Sequence, residues 1–347
     1  MPTPAPFCSI LPPHILRAIA ARGSPRQRAR AVASIEVSER IRGRRQVLSR
    51  LPPSAEACAL ERQRTVFDAR HKYVPPYRKV RGEQGRPSQD GAVNEAFNGA
   101  GATFDLFLDA YGRCSIDASG LPMLSIVHFG VDYENAFWDG QQMFYGDGDG
   151  VLFNRFTVAV DIIGHELTHG VTQYEAALEY QGQPGALNEH FSDVFGSLVK
   201  QRLLGQEAAD ADWVIGAGLF TDAVAGDGIR SMARPGQAYD DEVIGKDPQP
   251  GHMRGYVDTE ADNGGVHINS GIPNRAFYLA ATAVGGKAWE GVGRVWYDVL
   301  ANGLRPRASF AVCASRTAES AGRLFGAGSR EAKAVASAWR KVGVRPA

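Results

Sequence analysis

Apolar side chains return every three or four positions along most of this chain and alternate with polar ones in a single stretch. Pro2, Pro4, Pro6, Pro12 and Pro13 predict an extended opening. A short helix is predicted over residues 14–21, closed by Gly23-Ser24-Pro25, and a second over 27–51, closed by Pro52-Pro53. Residues 54–90 read as a helix or strand remnant followed by a linker rich in Pro, Gly and Arg. An amphipathic helix is predicted over 91–111, then short strands with Gly-rich turns over 121–156. Helices follow over 158–174 and 186–204, and apolar residues keep helical spacing over 276–284, 291–300 and 331–342. Strands gathered before position 156 and helices after it predict an α+β protein.

With 347 residues, 44% of them hydrophobic and 22% charged, the chain can bury a large core and hold about two domains. A detachable segment is expected at residues 1–60, ahead of the linker. The formal net charge is zero, so the molecule as a whole carries no signal for a polyanion. Residues 14–50, however, hold ten arginines against Glu36 and Glu39. Nucleic-acid or membrane-surface binding is one reading of that segment; docking on an acidic partner surface, which can belong to the same chain, is the preferred one, so no nucleic acid is expected as a partner. Cys8, Cys58, Cys114 and Cys313 form no close pair, and the last three are expected to be ordinary thiols. No run of 18 apolar residues exists, so no membrane partner is expected. Nor does the N-terminus show a charged start followed by an apolar run, so secretion would use a route the sequence does not display; the alternative is a cytoplasmic protein.

The chemistry lies in Asp161-Ile-Ile-Gly-His165-Glu166-Leu-Thr-His169. Histidines four apart occupy one face of a helix, where both rings can reach one zinc ion, and Glu166 projects beside it. A catalytic zinc takes three protein ligands and keeps one position open. Glu189, twenty residues past His169, offers the third ligand after a reversal of the chain. Asp193, one turn further, can orient a ligating histidine through its second ring nitrogen.

Five motifs in order resemble the thermolysin-like zinc metallopeptidases, in particular the protealysin-like branch with its short propeptide. They are Asn135-Ala136-Phe137-Trp138, Tyr145 to Gly150, His165 to His169, Gly185 to Asp193, and Asp262-Asn-Gly-Gly-Val-His267-Ile-Asn-Ser-Gly271. The opening Pro-Ala-Pro-Phe-Cys8-Ser-Ile-Leu-Pro-Pro resembles the propeptide start of that branch.

The resemblance implies a two-lobed fold: a propeptide over 1–60, a β-rich lobe over 61–172 carrying the zinc helix, and a helical lobe over 173–347. It implies a metalloendopeptidase with one Zn2+ per chain on His165, His169 and Glu189, and Glu166 as general base. His267 and Tyr180 are the implied oxyanion donors, with Asp262 orienting His267. Asn135 and the Ala136 carbonyl would bind substrate backbone, Arg230 a substrate carbonyl, and Phe153, Ile162 and Ile229 would line the pocket after the cleaved bond. Bulky apolar residues are expected there, because an uncharged pocket cannot compensate a buried charge. The expected partners are protein or peptide substrates and the chain's own propeptide, which inhibits a monomeric, self-processing precursor.

The chain departs from the family at the double calcium site. Asp161 and Asp212 match two of its carboxylates, but Lys200, Val214 and Ala217 stand at the others. Calcium takes six to eight oxygens, so calcium is doubtful and Lys200 is expected to replace it between the two aspartates. At Cys8 a thiolate on the zinc is one reading; filling of the cleft by backbone and apolar contacts alone is preferred. An aminopeptidase of the same ligand set would need a Gly-x-Met-Glu-Asn motif, which is absent. An idle peptide-binding protein would be expected to have lost Glu166 or His267, and both are present.

Overall fold

The structure, a computed structural model, describes residues 8–48 and 60–347, with no account of the side chains of 42–48. Strand β1 (Cys8–Ser9) is followed by helices α1 (Pro13–Arg22) and α2 (Pro25–Leu48). Strands β2 (Arg64–Asp68) and β3 (Arg78–Gly82) precede α3 (Gly91–Tyr111), and β4 (Met123–Val127), β5 (Ala136–Trp138) and β6 (Met143–Tyr145) follow it. These strands form one sheet in the order β1-β5-β6-β4-β2-β3. From α4 (Val160–Tyr174) and α5 (Gly182–Leu204) onward the chain is mainly helical, through α6 (Asp262–Asn269), α7 (Gly271–Val284), α8 (Val292–Asp298), α9 (Phe310–Phe325) and α10 (Arg330–Lys341). This is the two-part architecture that the resemblance implied, a sheet-bearing N-terminal part and a helical C-terminal one.

Two readings need correction. Residues 78–82, read as linker, form an edge strand; its mostly exposed Arg and Lys side chains hide the strand signal yet suit an unpaired edge. Helix α9 adds to the helical remainder of the chain, between the spans predicted there. Cys114 is disulfide-bonded, not a lone thiol; Cys58 lies outside the described residues. Cys313 is a buried thiol, as expected.

Helix α4 is buried on every side: residues 161–172 are all inaccessible. A helix with no wet face needs close neighbours, and glycines provide the approach. A Cβ on Gly196 of α5 would lie 2.4 Å from the Asp161 carbonyl and 3.0 Å from the His165 nitrogen. The basic segment docks within the chain: Arg30 pairs with Asp132 and lies 3.7 Å from Asp149, and Arg22 donates to the Glu242 carbonyl at 3.5 Å. No helix among the described residues is long and apolar enough to cross a membrane.

Candidate metal centre and active site

Helices α4 and α5 bring His165, His169 and Glu189 together in a fully buried place. The two Nε2 atoms are 3.0 Å apart, with His165 Nε2 3.5 Å and His169 Nε2 3.4 Å from the Glu189 oxygens. Ligands about 2.0–2.1 Å from one tetrahedral ion are roughly 3.3 Å from each other, so the spacing fits a single zinc. The outer nitrogens support this. His165 Nδ1 meets Asp193 Oδ1 at 2.8 Å, and His169 Nδ1 meets Asn188 Oδ1 at 2.8 Å and Ser192 Oγ at 3.0 Å. With those nitrogens protonated, two lone pairs face each other at the centre, an arrangement that calls for a cation. Glu189 Oε2 is buried and accepts no hydrogen bond among the described residues.

Asp193 does more than orient one ring. Its Oδ1 accepts from His165 and from Arg230 Nη2, and its Oδ2 from Arg230 Nε and Asn274 Nδ2, the last three at 2.8 Å. Burial pushes its pKa up, but the Arg230 guanidinium and the His165 ring outweigh it and hold the carboxyl well below the usual carboxylate range. Asn188, Ser192 and Asn274 escaped the sequence reading. Asn188 and Ser192 carried a signal, an i, i+4 pair beside the metal face; Asn274, 81 positions from Asp193, carried none.

Glu166 is inaccessible, and its Oε2 accepts the Trp138 backbone N–H at 3.0 Å. Tyr180 donates its hydroxyl to Glu189 Oε1 and is 3.3 Å from His267 Nε2. His267 is gripped twice by Asp262, backbone N to Oδ2 at 2.9 Å and Nδ1 to Oδ1 at 2.7 Å. That grip requires a left-handed turn: Asp262, Asn263, Gly264 and Gly265 all have φ between 51° and 80°. Such backbone is costly for Asp and Asn and tends to mark functional sites. Burial lowers the His267 pKa, but the charges of Asp262 and Glu189 overcome it and lift the ring to about 9.

The N-terminal segment occupies the cleft as an added strand. Strand β1 pairs antiparallel with β5, Cys8 opposite Trp138 and Ser9 opposite Phe137. Ile10 N donates to the Ala136 carbonyl at 3.2 Å and Leu11 N to Asn135 Oδ1 at 3.0 Å. Arg230 Nη1 donates to the Ile10 carbonyl at 3.1 Å, and His267 Nε2 lies 3.1 Å from the Ser9 carbonyl. Asn135, Ala136, Arg230 and His267 thus hold one extended peptide around the Ser9–Ile10 bond. Ile10 is inaccessible, as are Phe153 and Ile162; Ile229 is nearly so, and it meets Ile162 against Gly216. Cys8 is drawn into the ligand set, its sulfur, a His169 nitrogen and a Glu189 oxygen lying within 4.8 Å of one another. The backbone contacts fill the cleft, and the Cys8 thiol lies beside two of the candidate ligands.

Behind the metal helix, Lys200 Nζ is 2.8 Å from Asp161 Oδ2 and 2.8 Å from Asp212 Oδ1, and donates to the Val214 carbonyl at 2.5 Å. Burial lowers its pKa, yet the two aspartates raise it overall. The ammonium stands between the carboxylates, as expected.

Comparison with known proteins agrees with this geometry. Residues 51–173 match the family described as thermolysin metallopeptidase, catalytic domain, and residues 176–344 its alpha-helical domain. The chain is 50% identical to an extracellular metalloprotease of Pectobacterium carotovorum subsp. carotovorum, covering 98% of this chain and 97% of that one. It is 43% identical to the extracellular minor metalloprotease of Serratia marcescens over 81% of this chain and 78% of that one. Among solved structures, the precursor of protealysin from Serratia proteamaculans superposes with a TM-score of 0.88 at 49% identity, covering 97% of this chain and 99% of that one.

Proposed function

The chain belongs to the thermolysin family of metallopeptidases, and from that premise we propose that it is a zinc endopeptidase in its latent form, with residues 1–60 as propeptide. His165, His169 and Glu189 hold the zinc in this reading. Bound there, zinc supplies Lewis-acid polarisation and lowers the pKa of water toward about 7. Glu166 accepts the proton of the attacking water and passes it to the departing amine, a role that typically contributes about 10²–10⁴-fold. His267 and Tyr180 donate hydrogen bonds to the developing oxyanion, and Asp262 keeps His267 charged and aimed. Arg230 and Asn135 fix the substrate backbone on the amine side of the bond.

A single observation carries the reading. The segment in the cleft lies as a substrate would, its Ser9 carbonyl at His267 and its Ile10 carbonyl at Arg230. Ile10 supports a preference for a bulky apolar residue after the cleaved bond. The named relatives are extracellular, so we infer secretion of this chain as well.

Incubating wild type and Glu166→Ala with casein, with and without a zinc chelator, tests catalysis and metal need together, and intact mass reports self-cleavage. Wild type should shorten by about its first sixty residues and degrade casein only without chelator. A Glu166→Ala chain that still cuts casein would refute the assignment of the base.

A further inference from the structure

The arginine-rich segment covers carboxylates for which the chemistry above has no use. Arg30 in α2 pairs with Asp132 and stands 3.7 Å from Asp149 Oδ2. Beneath it the Glu134 side chain is fully buried, and neither oxygen has a hydrogen-bond partner among the described residues. Asp149 is fixed in place, because its Oδ1 accepts from the backbone nitrogens of Val151, Leu152 and Phe153. The same propeptide helix seals the neighbouring backbone: Glu134 N donates to Ser34 Oγ at 3.2 Å, and Ser38 meets the Tyr133 hydroxyl at 2.9 Å. Burial first, then the charges of Asp149 and Asp132, push Glu134 up to about 8, with Arg30 opposing.

Position along the cleft gives these groups a meaning. The register of β1 on β5 advances one residue against one, so Ile10 lies opposite Ala136 and Leu11 opposite Asn135. The propeptide then turns away at Pro12-Pro13 into α1. A substrate that stayed extended would run on past Asn135 toward Glu134, and beyond it toward the bend that carries Asp132.

We propose that, once residues 1–60 are gone, Asp132, Glu134 and Asp149 form a subsite for an arginine or lysine side chain three to five residues beyond the cleaved bond, which Arg30 fills in the precursor. The inference rests on the propeptide reading above. The guanidinium already present is the best guide to the occupant, since its planar donors engage two carboxylates at once. A calcium ion would need six to eight oxygens, and Asp149 Oδ1 is committed to three amides. With Arg30 removed and nothing in its place, three close carboxylates would repel one another, which favours uptake of a cation.

The test uses the full-length chain after activation, with loss of the first segment verified by intact mass. Three pairs of quenched peptides share leucine after the cleaved bond. Each pair carries arginine or the neutral isostere citrulline at the third, fourth or fifth position. In wild type at least one arginine peptide should show about tenfold higher kcat/KM than its citrulline partner, the scale of one charge-assisted hydrogen bond. That ratio should fall toward one in Glu134→Gln, and separately in Asp132→Asn. Ratios near one in wild type for all three pairs would overturn the subsite while leaving the peptidase reading intact, as would a preference that both variants retain. A preference abolished by millimolar calcium would make the site a metal site and overturn the proposal. If wild type cut none of the citrulline peptides, the peptidase reading would fall first and take the subsite with it.

Discussion

Asp193 holds Arg230 through both carboxylate oxygens, at 2.8 Å each, and with one of those oxygens also takes the outer nitrogen of His165. One buried carboxylate thus couples the aim of His165, a proposed zinc ligand, to the aim of the arginine on the bound peptide's carbonyl. Asp193→Asn should therefore damage both functions. Zinc affinity is expected to fall about 10–100-fold, read by competition with a chromophoric chelator. The unpaired, buried Arg230 should cost about 3–5 kcal/mol of stability, read by denaturant unfolding of the zinc-free chain. Unchanged zinc affinity would show that Asp193 serves Arg230 alone.

Lys200 should make stability indifferent to calcium. Its ammonium fills the space between Asp161 and Asp212 at 2.8 Å from each. A calcium chelator, with zinc held constant, should leave the melting temperature and activity unchanged. Lys200→Met should cost about 3–5 kcal/mol, because Asp161 would keep a fully buried charge without its partner. A melting temperature that rises with added calcium in wild type would contradict this account.

His128 gives the fold a pH dependence of known sign. Its Nδ1 meets Asp147 Oδ1 at 2.9 Å and its Nε2 meets Asp90 Oδ2 at 2.8 Å, tying the end of β4 to the residue that caps α3. The hydrogen bond its ring donates to Asp147, with burial opposing and Asp90 assisting, raises the ring to about 9 from the ordinary 6.5. A group raised on folding stabilises fully below its unfolded pKa and loses that contribution as pH climbs through the folded one. His128→Asn should accordingly cost about 1–3 kcal/mol at pH 6 and much less at pH 10. Equal losses at the two pH values would mean that the ring acts by packing alone.

What was legible in the sequence was what lies close along it. His165, Glu166 and His169 share one helical turn, and Glu189 and Asp193 another, so spacing alone placed each group on a face. Contacts across the fold left no such trace. Arg230 reaches Asp193 over 37 positions and Arg30 reaches Asp132 over 102, and neither arginine differs in local pattern from its neighbours. Family resemblance suggested that Arg230 faces substrate but not that it anchors Asp193. Strand β3 was missed because an exposed edge carries charge rather than alternation, and the bond at Cys114 because no nearby cysteine marks it.

Latency should have two separable layers, and Cys8 is the handle on one of them. The backbone of residues 8–11 is held by β5, Asn135 and Arg230 whatever side chain stands at position 8. The Cys8 sulfur is additionally placed beside a His169 nitrogen and a Glu189 oxygen, all within 4.8 Å of one another, so a small shift would let one ion take all three. Cobalt substituted for zinc in the intact precursor should therefore show a sulfur-to-metal charge-transfer band in the near ultraviolet, and Cys8→Ala should abolish it. The same variant should process itself faster than wild type yet start from a latent state, since the strand contacts survive. A cobalt spectrum identical in wild type and Cys8→Ala would assign latency to the strand alone. Full activity of Cys8→Ala from the first minute would assign it to the sulfur alone.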